Sequence, residues 1–285
     1  MTLIVAGYNS QALHVGDNGI FVVSDSSITS GGRILVRGFK KVIEMPIRVM
    51  RPLFNDGWFH NYYGFQYEGA CLIAFAGSTL VAQHIINSIR NHLSELYPIH
   101  ENGEYLLAMS CEKERLLHNN VYCEEDMFLD EHVIPLITLS FLSDVVEHSI
   151  QAVLDHAKKH DGMKDNFTAF KAEFIFGARC PSTNELGLFQ FEIIEDEIRG
   201  ALVKKTKVSK GDIAVIGMRT LYAADAQIEF NDALENRESV EIKMLNFVSK
   251  AIDSQNEIGV FDIGKPCALY KFNGGTVKLC ERITE

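Results

Sequence analysis

What the chain lacks narrows the field first. No apolar run approaches the roughly 20 residues that cross a bilayer. The early run Leu3 to Ala6 is too short even for the hydrophobic region of a signal peptide, and no basic stretch precedes it. No secretion signal is read, so the expected location is cytoplasmic, with no membrane partner. Positive charge is scarce: 27 Lys and Arg against 38 Asp and Glu give a net charge of −11, which argues against nucleic acid or an anionic membrane as a partner. The six cysteines (Cys71, Cys111, Cys123, Cys180, Cys267, Cys280) form no Cys-x-x-Cys pair. They are expected to be reduced, and no zinc site is read. His84, His92, His148 and His156 fall on expected helices, and His148 and His156 are too far apart to share a metal. No cofactor is expected. The chain also has no Gly-x-Ser-x-Gly, no P-loop and no Gly-x-Gly-x-x-Gly.

What is present suits one large globular domain over residues 1–285. The apolar fraction is 47%, enough for a sizeable core. Leu3–Ala6, Gly19–Ser24 and Ala70–Ala76 are apolar runs bounded by turn residues and read as buried strands. Arg33–Val36 and Lys41–Met45 are further strands. Ser78–Tyr97 and Leu139–His160 carry apolar residues at helical spacing, the first stopped by Pro98 and the second by Asp161-Gly162. Strands return at Ala172–Ala178, Gly187–Ile194, Ala201–Lys205 and Asp212–Ile216. Val240–Ile252 reads as a third long helix. Pro266–Phe272 and Thr276–Cys280 close the chain as a hairpin across Asn273-Gly274-Gly275. Segregated runs of strands and helices predict an α+β layered domain rather than alternating βαβ units. Two segments look inserted, the aromatic-rich stretch 46–68 and the acidic-patched stretch 99–138.

Thr2 follows Met1 directly. If Met1 is removed, its hydroxyl lies beside a free α-amine, a nucleophile and a base on one residue. The downstream text adds to this. Val23-Ser24-Asp25-Ser26-Ser27-Ile28-Thr29-Ser30-Gly31-Gly32, followed by Lys40-Lys41-Val42-Ile43-Glu44, resembles the β-type subunits of proteasomes and of the HslV peptidase. Their pattern is a strand ending in Asp-Ser, a Thr-x-Gly turn and a Lys-Lys-Val/Ile strand. Phe75-Ala76-Gly77-Ser78 is similar to the same family's Ala-Gly-Gly element.

The resemblance implies a four-layer αββα sandwich, the Ntn-hydrolase fold, with two insertions. It implies Thr2 as nucleophile, Lys41 close to it, Asp25 paired with Lys41, and the Gly77 N–H as oxyanion donor. An unperturbed α-amine titrates at about 7.7–8.0, near operating pH, and a nearby cation lowers it further. Thr29, Gly31 and Thr79 fall where family members hold an extended peptide through main-chain atoms. Ile28, Phe39, Ile43, Phe75, Thr79 and Gln83 would line the pocket for the side chain before the scissile bond. That lining is uncharged, which weighs against a basic preference and suits small or medium apolar side chains.

The implied partners are a peptide or unfolded protein as substrate, a homo-oligomeric ring and an ATP-dependent unfoldase. The sequence departs from the family at Gly217-Met218-Arg219-Thr220, where Met218 stands in place of a serine and Thr220 is a candidate substitute. The family also places an acidic residue and a serine after its last long helix; Asp253-Ser254-Gln255-Asn256-Glu257 offers candidates, and Asp262 is another. The expected function is therefore an N-terminal-threonine peptidase. A catalytically silent ring subunit and a non-peptide amidase remain open beside it.

Overall fold

The computed structural model describes residues 1–9, 19–30, 33–124, 126–160, 166–198 and 200–284. The expected Gly31 contact, and parts of the turn stretch after Gly7, lie outside these residues. The protein is a mixed α/β molecule built on two large sheets.

The first sheet takes both ends of the chain. β1 (Leu3–Tyr8) pairs antiparallel with β2 (Ile20–Asp25), Ile4 opposite Ser24. A small ribbon follows, β3 (Ile28–Ser30) with β4 (Arg33–Val36). The second sheet begins with a long hairpin, β5 (Val42–Asn55) and β6 (Trp58–Gly77), turning at Asp56-Gly57. Both turn residues have positive φ, 50° and 80°, the conformation that Asp-Gly favours in two-residue hairpin loops. The aromatic stretch 46–68 thus forms the outer part of a continuous ladder.

Helix α1 (Thr79–Ser94) ends at a strand, β7 (Leu96–Glu101), which contains Pro98 and pairs with β8 (Glu104–Met109). The segment up to residue 138 holds the short α2 (Asp130–Val133), and Thr138 caps α3 (Leu139–Ala157) by accepting from the Phe141 amide. β9 (Ala172–Arg179), β10 (Leu186–Asp196) and β11 (Gly200–Val208) form a meander. β12 (Ala214–Gly217) then leads into α4 (Arg219–Glu235) and α5 (Val240–Glu257). β13 (Cys267–Phe272) and β14 (Val277–Ile283) close the chain.

Strand order is β12-β1-β2-β13-β14 in the first sheet and β11-β10-β9-β6-β5-β7-β8 in the second. Alternate side chains of the inner strands enter different cores, because successive residues of a strand point to opposite faces. Leu3 and Val5 join a cluster with Phe230, Met244 and Val248 of α4 and α5, while Ile4 and Ala6 join one with Leu72, Ala74 and Ile175 of the other sheet. Ile73 and Phe75 of β6 pack with Ile85 and Ile89 of α1 and with Val146 and Ile150 of α3. These inner strands are apolar on both faces, which is why they read as unbroken hydrophobic runs.

Helix α4 has no counterpart in the sequence reading. Its buried residues are few, Ala226, Phe230 and Ala233, so it carries almost no helical hydrophobic period. All six cysteines are free thiols. Among the described residues no single helix is long and apolar enough to cross a membrane; Asp130–Leu136 and Leu139–Ala157 reach that composition only as a pair bent by 58°.

Candidate functional site

Four strand ends from the two sheets meet around Thr2. β1 starts at Leu3, β2 ends at Asp25, β6 ends at Gly77 and β12 ends at Gly217. Lys41 stands immediately before β5, its carbonyl accepting from the Phe75 amide of β6 at 3.2 Å. Each functional side chain therefore hangs from a point fixed by a ladder rather than from a free loop.

The centre of the arrangement is a three-residue contact. Lys41 Nζ donates to Thr2 Oγ1 at 2.9 Å and to the two Asp25 oxygens at 2.8 and 2.9 Å. The Asp25 and Lys41 side chains are 0% and 4% exposed, and Thr2 is 7% exposed. The Leu3 amide donates to Asp25 Oδ1 at 3.0 Å and the Ser27 amide to Oδ2 at 3.2 Å. With both oxygens accepting from an amide and from the lysine, the carboxyl has no room for a proton of its own and is ionised. Burial pushes the Asp25 carboxyl up, and the charge of Lys41, its hydrogen bonds and the two amides oppose this. Burial also pulls Lys41 below the ordinary lysine range, against the charge of Asp25. The ammonium spends two N–H groups on Asp25 and one on the Thr2 hydroxyl oxygen. That leaves the hydroxyl proton free to go elsewhere.

Thr2 itself is held through its carbonyl, which accepts from the Met218 amide at 2.8 Å. The preceding residue must be glycine. Gly217 has φ +86°, and a Cβ on it would lie 1.9 Å from the Thr2 oxygen. Gly77 is equally constrained, with φ +100° and a virtual Cβ 2.3 Å from the Lys171 carbonyl. The amide after it, Ser78, donates to that carbonyl at 2.9 Å.

Met1 precedes Thr2 in the chain. Its ammonium donates to Thr29 Oγ1 at 2.6 Å, and that hydroxyl donates to the Asp262 carbonyl at 3.1 Å. Burial lowers this amine, with the Asp262 charge opposing and the Lys41 charge adding. Of the acidic candidates, Asp262 is thus the one near the chain start, whereas the Asp253 carboxylate pairs with Lys265 at 2.9 Å.

Among the described residues, cavities open on two sides of Thr2. A small one of about 50 Å³ is lined by Ile28, Thr29, Phe39, Lys41, Phe75, Gly77 and Thr79 among others. Phe39 and Phe75 meet edge to face there, ring centres 6.1 Å apart. Ile43 and Gln83 are not among its lining residues; Gln83 instead donates to Asn87 along α1 at 3.3 Å. On the other side a cavity of about 550 Å³ is lined by Gly77, Phe167, Glu173, Glu192, Ile194, Gly217, Arg219 and Thr220, with Met1 and Thr2. Thr220 therefore faces that larger cavity.

Among the residues of this larger cavity that the sequence reading did not single out is Glu173. Glu173 Oε2 accepts from the Gly217 amide at 2.6 Å. Burial raises its carboxyl, the Gly217 hydrogen bond opposing and the neighbouring Glu192 adding. Glu173 lies in β9 as an ordinary alternating polar residue. Only the pairing of β9 with the end of β6, Gly77 opposite Ala172, brings it beside Thr2.

No protein-family model matches the chain, and no curated protein matches it. Solved structures do. The chain is similar over its full length to Anbu (ancestral beta-subunit) from Yersinia bercovieri, at 14% identity and TM-score 0.52, covering 88% of that chain. It is likewise similar to a Gly-1 mutant of Anbu from Hyphomicrobium sp. strain MC1, at 15% identity, TM-score 0.50 and 88% coverage of that chain. These likenesses show the fold. They also correct the resemblance drawn from the sequence: the matching structures are Anbu proteins, proteasome-like but distinct from the proteasome β-subunits and HslV. The quoted motifs sit at strand ends that position Thr2, so they follow the fold and do not separate its branches.

Proposed function

We propose that the protein is an N-terminal-threonine hydrolase of amide bonds, on an Anbu-like fold whose two sheets and flanking helices form four layers, αββα. The observation that carries this reading is the buried contact of Lys41 with both Thr2 Oγ1 and the Asp25 carboxylate. A lysine held out of water against a hydroxyl oxygen is placed to stabilise negative charge developing on that oxygen.

Removal of Met1 would free the Thr2 α-amine. The amine takes the hydroxyl proton as Oγ1 attacks the substrate carbonyl, and the Lys41 cation keeps the amine in its basic form near neutral pH. The tetrahedral oxyanion would lie toward the Gly77 N–H; one such donor typically lowers the barrier by about 2.7–4 kcal/mol. Collapse breaks the C–N bond, the leaving amine takes the proton, and an ester on Thr2 remains. Water then attacks the ester, the α-amine again acting as base, and releases the acid.

The small cavity has mixed walls, Ile28, Phe39 and Phe75 beside Thr29, Lys41 and Thr79, and its apolar side suits a short apolar side chain on the acyl side of the bond. Peptides are the expected substrates. The larger cavity would take the leaving portion, with Glu173 and Arg219 facing it.

Intact-mass measurement before and after exposure to a peptide epoxyketone tests this directly, because that warhead bonds to both the hydroxyl and the amine of an N-terminal threonine. The expected result is loss of Met1 and a one-to-one adduct, absent in Thr2→Ala. Retained Met1 with no adduct would overturn the reading and leave a silent subunit of the same fold.

A further inference from the structure

Far from Thr2 along α1, a second cluster of chemistry-bearing side chains comes together. His92 sits in the last turn of α1, Cys111 in the turn after β8 and His148 in the middle of α3. Among the described residues this is the one group of three His, Cys, Asp or Glu side chains whose ligand atoms all lie within 4.8 Å of one another. We propose that His92, Cys111 and His148 bind one divalent transition-metal ion of the zinc class, with solvent in the fourth position.

Three features support the assignment. The first is separation. Zinc bonds of about 2.3 Å to sulfur and 2.0–2.1 Å to nitrogen, at a tetrahedral angle, put the two ligand atoms about 3.6 Å apart. Cys111 Sγ and His148 Nε2 are 3.5 Å apart, the spacing of two ligands on one ion, and the His92 ligand atom lies within 4.8 Å of both.

The second is the tautomer of His92. The Ser149 hydroxyl donates to the Val145 carbonyl at 2.6 Å. Toward His92 Nδ1, 2.8 Å away, it can therefore only accept. With Nδ1 as the donor in that contact, the Nε2 lone pair of His92 is left for a ligand. Metal-binding histidines are commonly oriented by such a second hydrogen bond.

The third is the composition and setting of the cluster. One thiolate and two neutral imidazoles suit zinc, and softer or harder ions less well. The adjacent Glu112 carboxylate is already engaged, accepting from the Met109 amide at 2.8 Å and from Arg115 at 2.5 Å. It shapes the Cys111 turn and leaves the fourth position open. Cys111 and His148 are exposed and His92 is half-buried, so an ion enters from solvent. On binding, the thiol proton leaves to water, and the ion ties the turn after β8 to both helices. The sequence concealed this site because its ligands lie on three separate elements, with Cys111 and His148 37 positions apart.

The test uses the full chain stripped with a chelator and titrated with Co²⁺ alone. The expected result is saturation at one equivalent, with a thiolate-to-cobalt charge-transfer band that Zn²⁺ abolishes by displacement. The band should be lost in Cys111→Ser and retained in Cys280→Ser, the other exposed thiol. His148→Gln, on an exposed position, should weaken binding without changing the melting temperature of the metal-free protein. Ser149→Ala should weaken it about 10–100-fold. Absence of the band, or its persistence in Cys111→Ser, would overturn the proposal and leave Cys111 and His148 as a thiol–imidazole hydrogen bond. None of these readouts depends on Thr2.

Discussion

Two lysines gather carboxylate oxygens under opposite conditions. Lys41 meets Asp25 with side chains 4% and 0% exposed. Lys243, on α5, lies 2.8 Å from Asp232 and 3.4 Å from each of Glu229 and Glu238, all at the surface. By number of partners the surface lysine is the better satisfied. Its hydrogen bond to Asp232, the largest influence, holds it above the ordinary lysine range, whereas burial pulls Lys41 below that range. The difference teaches that solvent, not the count of ion pairs, sets what such a group does. An exposed cation surrounded by acids stays a cation and little else. A dry one, with a single carboxylate and a hydroxyl, is an electrostatic tool.

Substitution at both places should break the symmetry of charge and keep the asymmetry of effect. Lys41→Ala leaves Asp25 buried with only the Leu3 and Ser27 amides. It should lower amide hydrolysis about 10²–10⁴-fold and destabilise the fold by about 3–5 kcal/mol, read from turnover and from urea unfolding.

Glu173 gives the intermediate case, partly buried beside Thr2. Its folded carboxyl is raised by burial, so the native state binds more protons than the unfolded state over the interval above the ordinary carboxylate range. Stability from this group is full below the unfolded pKa and is lost as pH rises through the folded one. Glu173→Gln should flatten that part of the stability–pH curve, as thermal melts across the acidic range would show; an unchanged curve would remove Glu173 from this role. Lys243→Ala should do least. Its effect on melting temperature should be small and should fade in high salt, as screened surface pairs do.

The sequence showed much of the frame because several inner strands are apolar on both faces. Leu3–Ala6 and Ala70–Ala76 could hardly be anything but buried strands. Asp25, Lys41 and Gly77 were named through the family resemblance, and each stands at or beside the end of a strand, where a chain leaves the core. Residues that depend on pairing between distant strands were not visible. Glu173 alternates in β9 like any half-exposed strand residue, and only the β6–β9 register gives it a partner. Asp262 is one acid among several near the end of α5 until the Thr29 hydroxyl fixes its neighbourhood. Ile43 and Gln83 were inferred by register with a resemblance, and neither is among the residues that line the small cavity. Helix α4 escaped because a helix with so few buried positions has no period to detect.

The hairpin of β5 and β6 has one more consequence. Its inner half, around Val42 and Ala74, is packed on both faces by separate cores, while the half near Asp56-Gly57 leaves Trp58, Tyr63 and Phe65 exposed. Local opening of a protein follows how much each segment has buried. The ribbon should therefore open more readily at its tip than at its root, although the tip is anchored by the buried Phe59 ring and by the Cys123 amide, which donates to the Gly57 carbonyl at 2.8 Å. The root carries Lys41 and Gly77, so opening confined to the tip should leave the contact of Lys41 with Thr2 and Asp25 intact.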